Sequence, residues 1–381
     1  MRVANLSAGA MLLLTLAGPI AGHAATLSRT AFGQTPAGEA VEAFTLKNTH
    51  GVSATVITYG ATLQSLVAPG RNGAKADIVL GFSDAGAYAR NASYFGATVG
   101  RMANRIGKGR FTLEGKSYQL ALNDHGLAAL HGGKTGFDKV VWKVLATKSN
   151  AAGASVTLGY VSPDGDEGYP GALTATATYA LDEKNQLTVT YGATTDKPTI
   201  VNMSNHALFN LAGEGASEGA MGNILTLAAD GYTPVDSELI PTGKITPVAG
   251  TAFDFRKPTA VGARIRDARD PQLVVGRGYD HNYVLNGKPG ALRLAARLSD
   301  PKSGRTLEVL SDQPGVQFYA GNFIDGTLVG KSGKIYRQGD GIALEPQHFP
   351  DAPNKPAFAS VRLNPGETYS NRMVFKLSIA K

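Results

Sequence analysis

The chain has 381 residues, 37 Lys and Arg against 30 Asp and Glu, a formal charge of +7 and no cysteine. The missing cysteines exclude a disulfide framework, a thiolate metal site and a cysteine nucleophile. The positive charge is spread thinly, with no run of adjacent Lys and Arg, so nucleic acid is not an expected partner.

At the N-terminus, Arg2 is followed by an apolar run from Ala10 to Ala17 and by a small-residue exit at Gly22-His23-Ala24. This is the layout of a secretory leader, and it predicts cleavage of residues 1–24. The run is broken by Gly18-Pro19 and falls short of the roughly 20 apolar residues that a membrane-crossing helix needs. The expected mature protein, residues 26–381, is one exported domain, periplasmic or secreted, with no membrane attachment after cleavage.

From there on alternation dominates. Val52 to Tyr59, Thr174 to Tyr179 and Leu187 to Tyr191 carry the period-2, β-branched pattern of half-buried strands. Turns such as Arg71-Asn72-Gly73, Glu114-Gly115-Lys116 and Asn286-Gly287 cut the chain into short pieces, and long helical periodicity is nearly absent. The predicted class is all-β, a large antiparallel sandwich. Ala212 to Ala220, small and glycine-rich, reads as a mobile surface loop.

Several motifs invite other chemistries and fail on context. Gly215-Ala216-Ser217-Glu218-Gly219 fits G-x-S-x-G, yet a nucleophile elbow needs a strand before it and a helix after it. Gly326 to Ser332 resembles a phosphate loop but is one residue short, and a hairpin connection is the better reading. Asp164 to Gly168 opens like a calcium loop, but Tyr169 and Ala175 stand where Gly and Glu are required, which leaves a solvated turn. Asn91-Ala92-Ser93 and Asn202-Met203-Ser204 fit the glycosylation pattern.

Three residues stand out as candidates for acid–base work: His131 before Gly132-Gly133, His206 in Val201 to Leu211, and Glu345 in Gly341 to Gln347. Singly, each has a plain alternative: a surface loop histidine, a structural histidine in a strand-like segment, a charge at a strand end. Together they fit the interconversion of sugar anomers. Opening a hemiacetal needs a base for the anomeric hydroxyl proton and an acid for the ring oxygen, and a carboxylate with an imidazole can exchange those roles.

These segments resemble, in order and over nearly the whole mature chain, the aldose 1-epimerase family, also called galactose mutarotases. The resemblance rests on Gly100 to Ile106, Leu130 to Gly133, Gly136 to Lys139 with Trp142, Asp164 to Gly171 and Asn205 to Leu211. It continues through Tyr232 to Asp236, Phe253 to Arg256, Tyr279 to Leu285, Pro314 to Tyr319 and Leu344 to Gln347. It implies the mutarotase supersandwich, Glu345 as general base and His206 as general acid. It further implies that Asn104, Arg105, His131, Asp280 and Gln317 bind an aldose, with no cofactor and no metal. Asp166 departs from the family pattern, where glutamate is the more usual residue. The alternatives are a glycoside-active enzyme using Asp280 and Glu345, and a sugar-binding module without catalysis on the same sandwich.

Overall fold

The computed structural model describes residues 24–91 and 93–380. The expected leader lies outside the described residues except for Ala24. Strands make up 46% of the described residues and helices 7%, in agreement with the all-β expectation.

Nine strands form the largest sheet, in the order Lys143–Asn150, Gly153–Ser162, Leu173–Asp182, Gln186–Thr195, Tyr369–Ile379, Arg305–Ser311, Arg293–Ser299, Ile224–Leu227 and Thr259–Ala260. Each of its pairings is antiparallel. The alternation seen in the sequence is the cause of its sidedness: Ala175, Ala177, Tyr179 and Leu181 are buried, while the intervening threonines keep partial contact with solvent. A five-stranded sheet runs in chain order from Thr26–Gln34 to Lys75–Asp77, and in its strand Ser53–Ile57 the residues Ala54 and Val56 point inward.

The six-stranded sheet positions the site. Its order is Leu208–Phe209, Ile342–Gln347, Gly315–Tyr319, Asp280–Leu285, Ala229–Tyr232 and Thr246–Pro247. All three sheets contribute to one apolar core, including Val56 and Leu63 from the first, Tyr179, Val189 and Phe375 from the largest, and Val316, Phe318 and Leu344 from the third. Each such side chain contributes about 1.5–3 kcal/mol by leaving water.

The rejected motifs sit where their flanks indicated. Ser217 lies in a turn and donates to Glu218 at 3.0 Å. Asp325–Val329 pairs with Ile335–Arg337 as a hairpin, and Lys331 turns inward to Asp77 at 2.7 Å. Asp164 closes its turn by accepting from the Gly171 N–H at 2.6 Å. Asn202 is fully buried, which removes it as a glycan acceptor. The stretch from Ala212 is less loose than its composition predicts: the Glu214 N–H donates to Asp77 and the Ala220 N–H to Gly339, and Ala220 is buried.

Candidate active site

Period-2 geometry builds the floor of the site. In Gly315–Tyr319, Val316 and Phe318 enter the core, so Gln317 and Tyr319 take the opposite face. Gln317 lies opposite Asn282 on one side and opposite Glu345 on the other. Asp280, two residues before Asn282, therefore shares that face with Glu345.

His206 arrives by a neighbouring register. Leu208 pairs with Ala343 and Phe209 with Ile342; extended by two residues, the same register sets His206 opposite Glu345. The His206 Nε2 lies 3.8 Å from Glu345 Oε1. The main chain of His206 is anchored on both sides, its N–H donating to Ala97 and its carbonyl accepting from Gly96, each at 2.9 Å.

The opposite wall comes from the pairing of Leu130 with Arg105, which places His131 and Asn104 just beyond the last pair. The Asn104 N–H donates to His131 Nδ1 at 3.1 Å, and the His131 N–H donates to the Asn104 carbonyl at 3.1 Å. Because Nδ1 accepts, the proton of a neutral His131 is on Nε2, free to donate to a ligand. Gly132 makes the turn possible: its φ is +96°, and a Cβ there would lie 1.8 Å from the Gly100 carbonyl oxygen.

Charge is tightly managed. Arg105, largely buried, ion-pairs with Asp124 at 2.7 Å and with Asp280 at 3.4 Å. Asp280 Oδ1 accepts from the Gln317 amide at 2.7 Å. By contrast, Glu345 Oε2 and His206 Nδ1 find no hydrogen-bond partner among the described residues. Burial drives the Glu345 carboxyl well above the usual carboxylate range, the Asp280 charge adds to this, and Arg105 opposes it. Burial takes His206 down to about 4. His131 is held well below the ordinary histidine value by burial first, then by His206 and Arg105.

These groups open onto a cavity of about 940 Å³, whose lining includes Asn104, Arg105, His131, His206, Asp280 and Glu345. Six of the seven residues singled out in the sequence thus meet in one cleft. Gln317 differs: it is 2% exposed and sits behind Asp280, holding that carboxylate rather than forming the wall. His281 is fully buried and its Nε2 lies 3.2 Å from Gln272 Oε1, a structural role on the other face of its strand.

Sequence reasoning missed Tyr94, Asp124 and Tyr319. The Tyr94 ring lies 4.6 Å from that of His131 and 5.7 Å from that of His206, and Tyr319 lies 6.3 Å from His206. Alternation with the core residue Phe318 could have found Tyr319; nothing local marks Asp124, whose partner is 19 residues away.

The aldose 1-epimerase family model matches residues 42–376. The chain belongs to the aldose 1-epimerase family. It is 45% identical to the galactose mutarotase of Homo sapiens over 93% of this chain and 100% of that one. Against the aldose 1-epimerase of Escherichia coli the identity is 37%, over 88% and 95%. Among solved structures, a galactose 1-epimerase from Lactobacillus acidophilus superposes with a TM-score of 0.81 at 32% identity, covering 93% of this chain and 99% of that one. An aldose epimerase homologue from C. elegans gives 0.80 at 32% identity, covering 88% and 98%. In this family member the cleft therefore lies in a scaffold shared over nearly the whole described chain.

Proposed function

We propose that this chain is an aldose 1-epimerase that interconverts the α and β anomers of free aldoses such as glucose and galactose, with Glu345 and His206 as its proton-transfer pair. The observation that carries this reading is the approach of His206 Nε2 to Glu345 Oε1, 3.8 Å apart in the cleft, with Glu345 Oε2 and His206 Nδ1 left without a hydrogen-bond partner among the described residues.

Burial opposes charge on both members, which favours a pair that holds one proton between them. That proton has two places. With a carboxylate and an imidazolium, Glu345 accepts the O1 proton while His206 gives its proton to the ring oxygen; the C1–O5 bond breaks and C1=O1 forms. The result is a carboxylic acid and a neutral imidazole, the state that burial favours. Rotation about C1–C2 and the reverse transfers close the ring on either face. The chemistry calls for no cofactor. Before any transfer, the Arg105 fork, the Asp280 carboxylate, Asn104 and the His131 Nε2–H can each partner a sugar hydroxyl or the ring oxygen.

A two-carboxylate hydrolase is the weaker reading. Asp280 has both oxygens engaged, by Arg105 and by Gln317, and is poorly placed to act as a nucleophile or as a base for water. The leader-like N-terminus supports action outside the cytoplasm, with cleavage near Ala24.

Polarimetry on freshly dissolved α-D-glucose and α-D-galactose tests the proposal. The wild type is expected to speed the approach to anomeric equilibrium, with Glu345→Gln and His206→Asn losing most of that gain. A wild type no faster than buffer on either sugar overturns it.

A further inference from the structure

The segment Gly136-Phe137-Asp138-Lys139 takes no part in the proton transfers, yet it is rigidly built beside them. The Phe137 N–H donates to the Gly100 carbonyl at 3.1 Å, the Phe137 carbonyl accepts from the Trp142 indole at 3.0 Å, and the Phe137 ring is buried against Trp142. Gly136 packs so closely that a Cβ would lie 2.6 Å from the His131 carbonyl oxygen. Asp138, 4% exposed, makes no hydrogen bond through its carboxylate among the described residues and forms an ion pair with Lys139 Nζ at 3.2 Å. A buried carboxylate keeps its charge only beside a cation, so the ammonium is held in place.

From that anchor Lys139 reaches Tyr94, which lines the cleft. Its Nζ donates to the Asn91 carbonyl at 2.9 Å and lies 5.7 Å from the centre of the Tyr94 ring. Tyr94 has a φ of +55°, a conformation that a bulky residue keeps only when its surroundings impose it. Its ring packs on His131 and His206. The chain of contact runs from the core through Asp138 and Lys139 to the aromatic wall over both imidazoles.

We propose that Lys139 is a positioning residue, which sets Tyr94 against His131 and His206 through its bond to the Asn91 carbonyl and its place beside the tyrosine ring. The inference rests on the cleft being the mutarotase site.

The test compares the full chain with Lys139→Met, Lys139→Arg, Tyr94→Ala and the Lys139→Met/Tyr94→Ala double variant, scoring kcat and KM per folded protein and the NMR resonances of the histidine rings. Lys139→Met is expected to lower kcat by about 10- to 100-fold with a smaller change in KM, the cost of a small misplacement. Lys139→Arg restores most of it, and the double variant is no worse than Tyr94→Ala, because the two act in series. The ring resonances of His131 and His206 move in Lys139→Met in the direction that they move in Tyr94→Ala. Unchanged kcat per folded protein, multiplied losses in the double variant, or unmoved histidine resonances overturn the proposal. If Lys139→Met does not fold, Asp138→Asn, which removes the counter-ion and keeps the shape, takes its place in the same comparison. A wild type without mutarotation would defeat the functional reading alone, since the histidine resonances need no turnover and still decide whether Lys139 sets the ring.

Discussion

Glu345 is a carboxyl that burial works against. Its folded pKa is raised above its unfolded one, so its contribution to stability is complete below the ordinary carboxyl value and is lost as pH rises through the folded value. Glu345→Gln removes that loss. The variant should melt above the wild type at pH 8, with the gap closing below about pH 4, while mutarotation falls by about 10²- to 10⁴-fold. Scanning fluorimetry at the two pH values beside polarimetry checks this; equal destabilisation at both would contradict it. His206 has the opposite sign. Its pKa is depressed to about 4, so its share of stability is complete above the ordinary histidine value of about 6.5 and is lost as pH falls toward 4, on the order of 3 kcal/mol in all. Urea midpoints should therefore drop across that window, and His206→Asn should flatten the drop. Asp280 belongs to a different class, since it neutralises a buried guanidinium. Asp280→Ala leaves Arg105 with Asp124 alone and should cost about 3 kcal/mol of stability as well as sugar affinity. A urea midpoint unchanged from wild type would show that Asp124 suffices.

At the scale of the element, one strand serves core and site together. Val316 and Phe318 hold Gly315–Tyr319 down while Tyr319 lines the cleft and Gln317 supports Asp280 from behind. Phe318→Ala opens a cavity among Phe255, Tyr279 and Tyr283, whose rings lie 5.0–6.3 Å away, and should lower stability by about 3–5 kcal/mol. Because the strand carries the support of Asp280, KM should rise even in the fraction that stays folded, which titration of rate against sugar concentration would detect. Strands such as Leu173–Asp182 were legible in the sequence because one of their faces meets solvent. Ile342–Gln347 was not, being buried along its whole length, so its own neighbours mark Glu345 only as a charge closing an apolar run, and the family resemblance alone gave it a role. His206 falls between the two-residue strands Ser204–Asn205 and Leu208–Phe209, too short for any periodicity to show.

For the whole molecule, the absence of cysteine means that reductant should leave the melting temperature unchanged, whatever compartment the protein occupies. The first strand begins at Thr26, two residues past the expected cleavage point. Expression with the native N-terminus in a bacterial host, followed by fractionation and N-terminal sequencing, should find a periplasmic chain starting near Ala25; an intact cytoplasmic chain would remove the export proposal. The sequence by itself determined the β class, because period-2 burial is a local property, and it marked the residues of the cleft through the order of its motifs. Only the tertiary structure decided how those residues are arranged. Arg105 meets Asp280 across 175 positions of chain, and Gln317 turns out to stand behind Asp280. Joint removal from water pushes the Glu345 carboxyl up and the His206 imidazole down. Such facts depend on register between distant strands and on burial, and neither is written in the neighbours of any one residue.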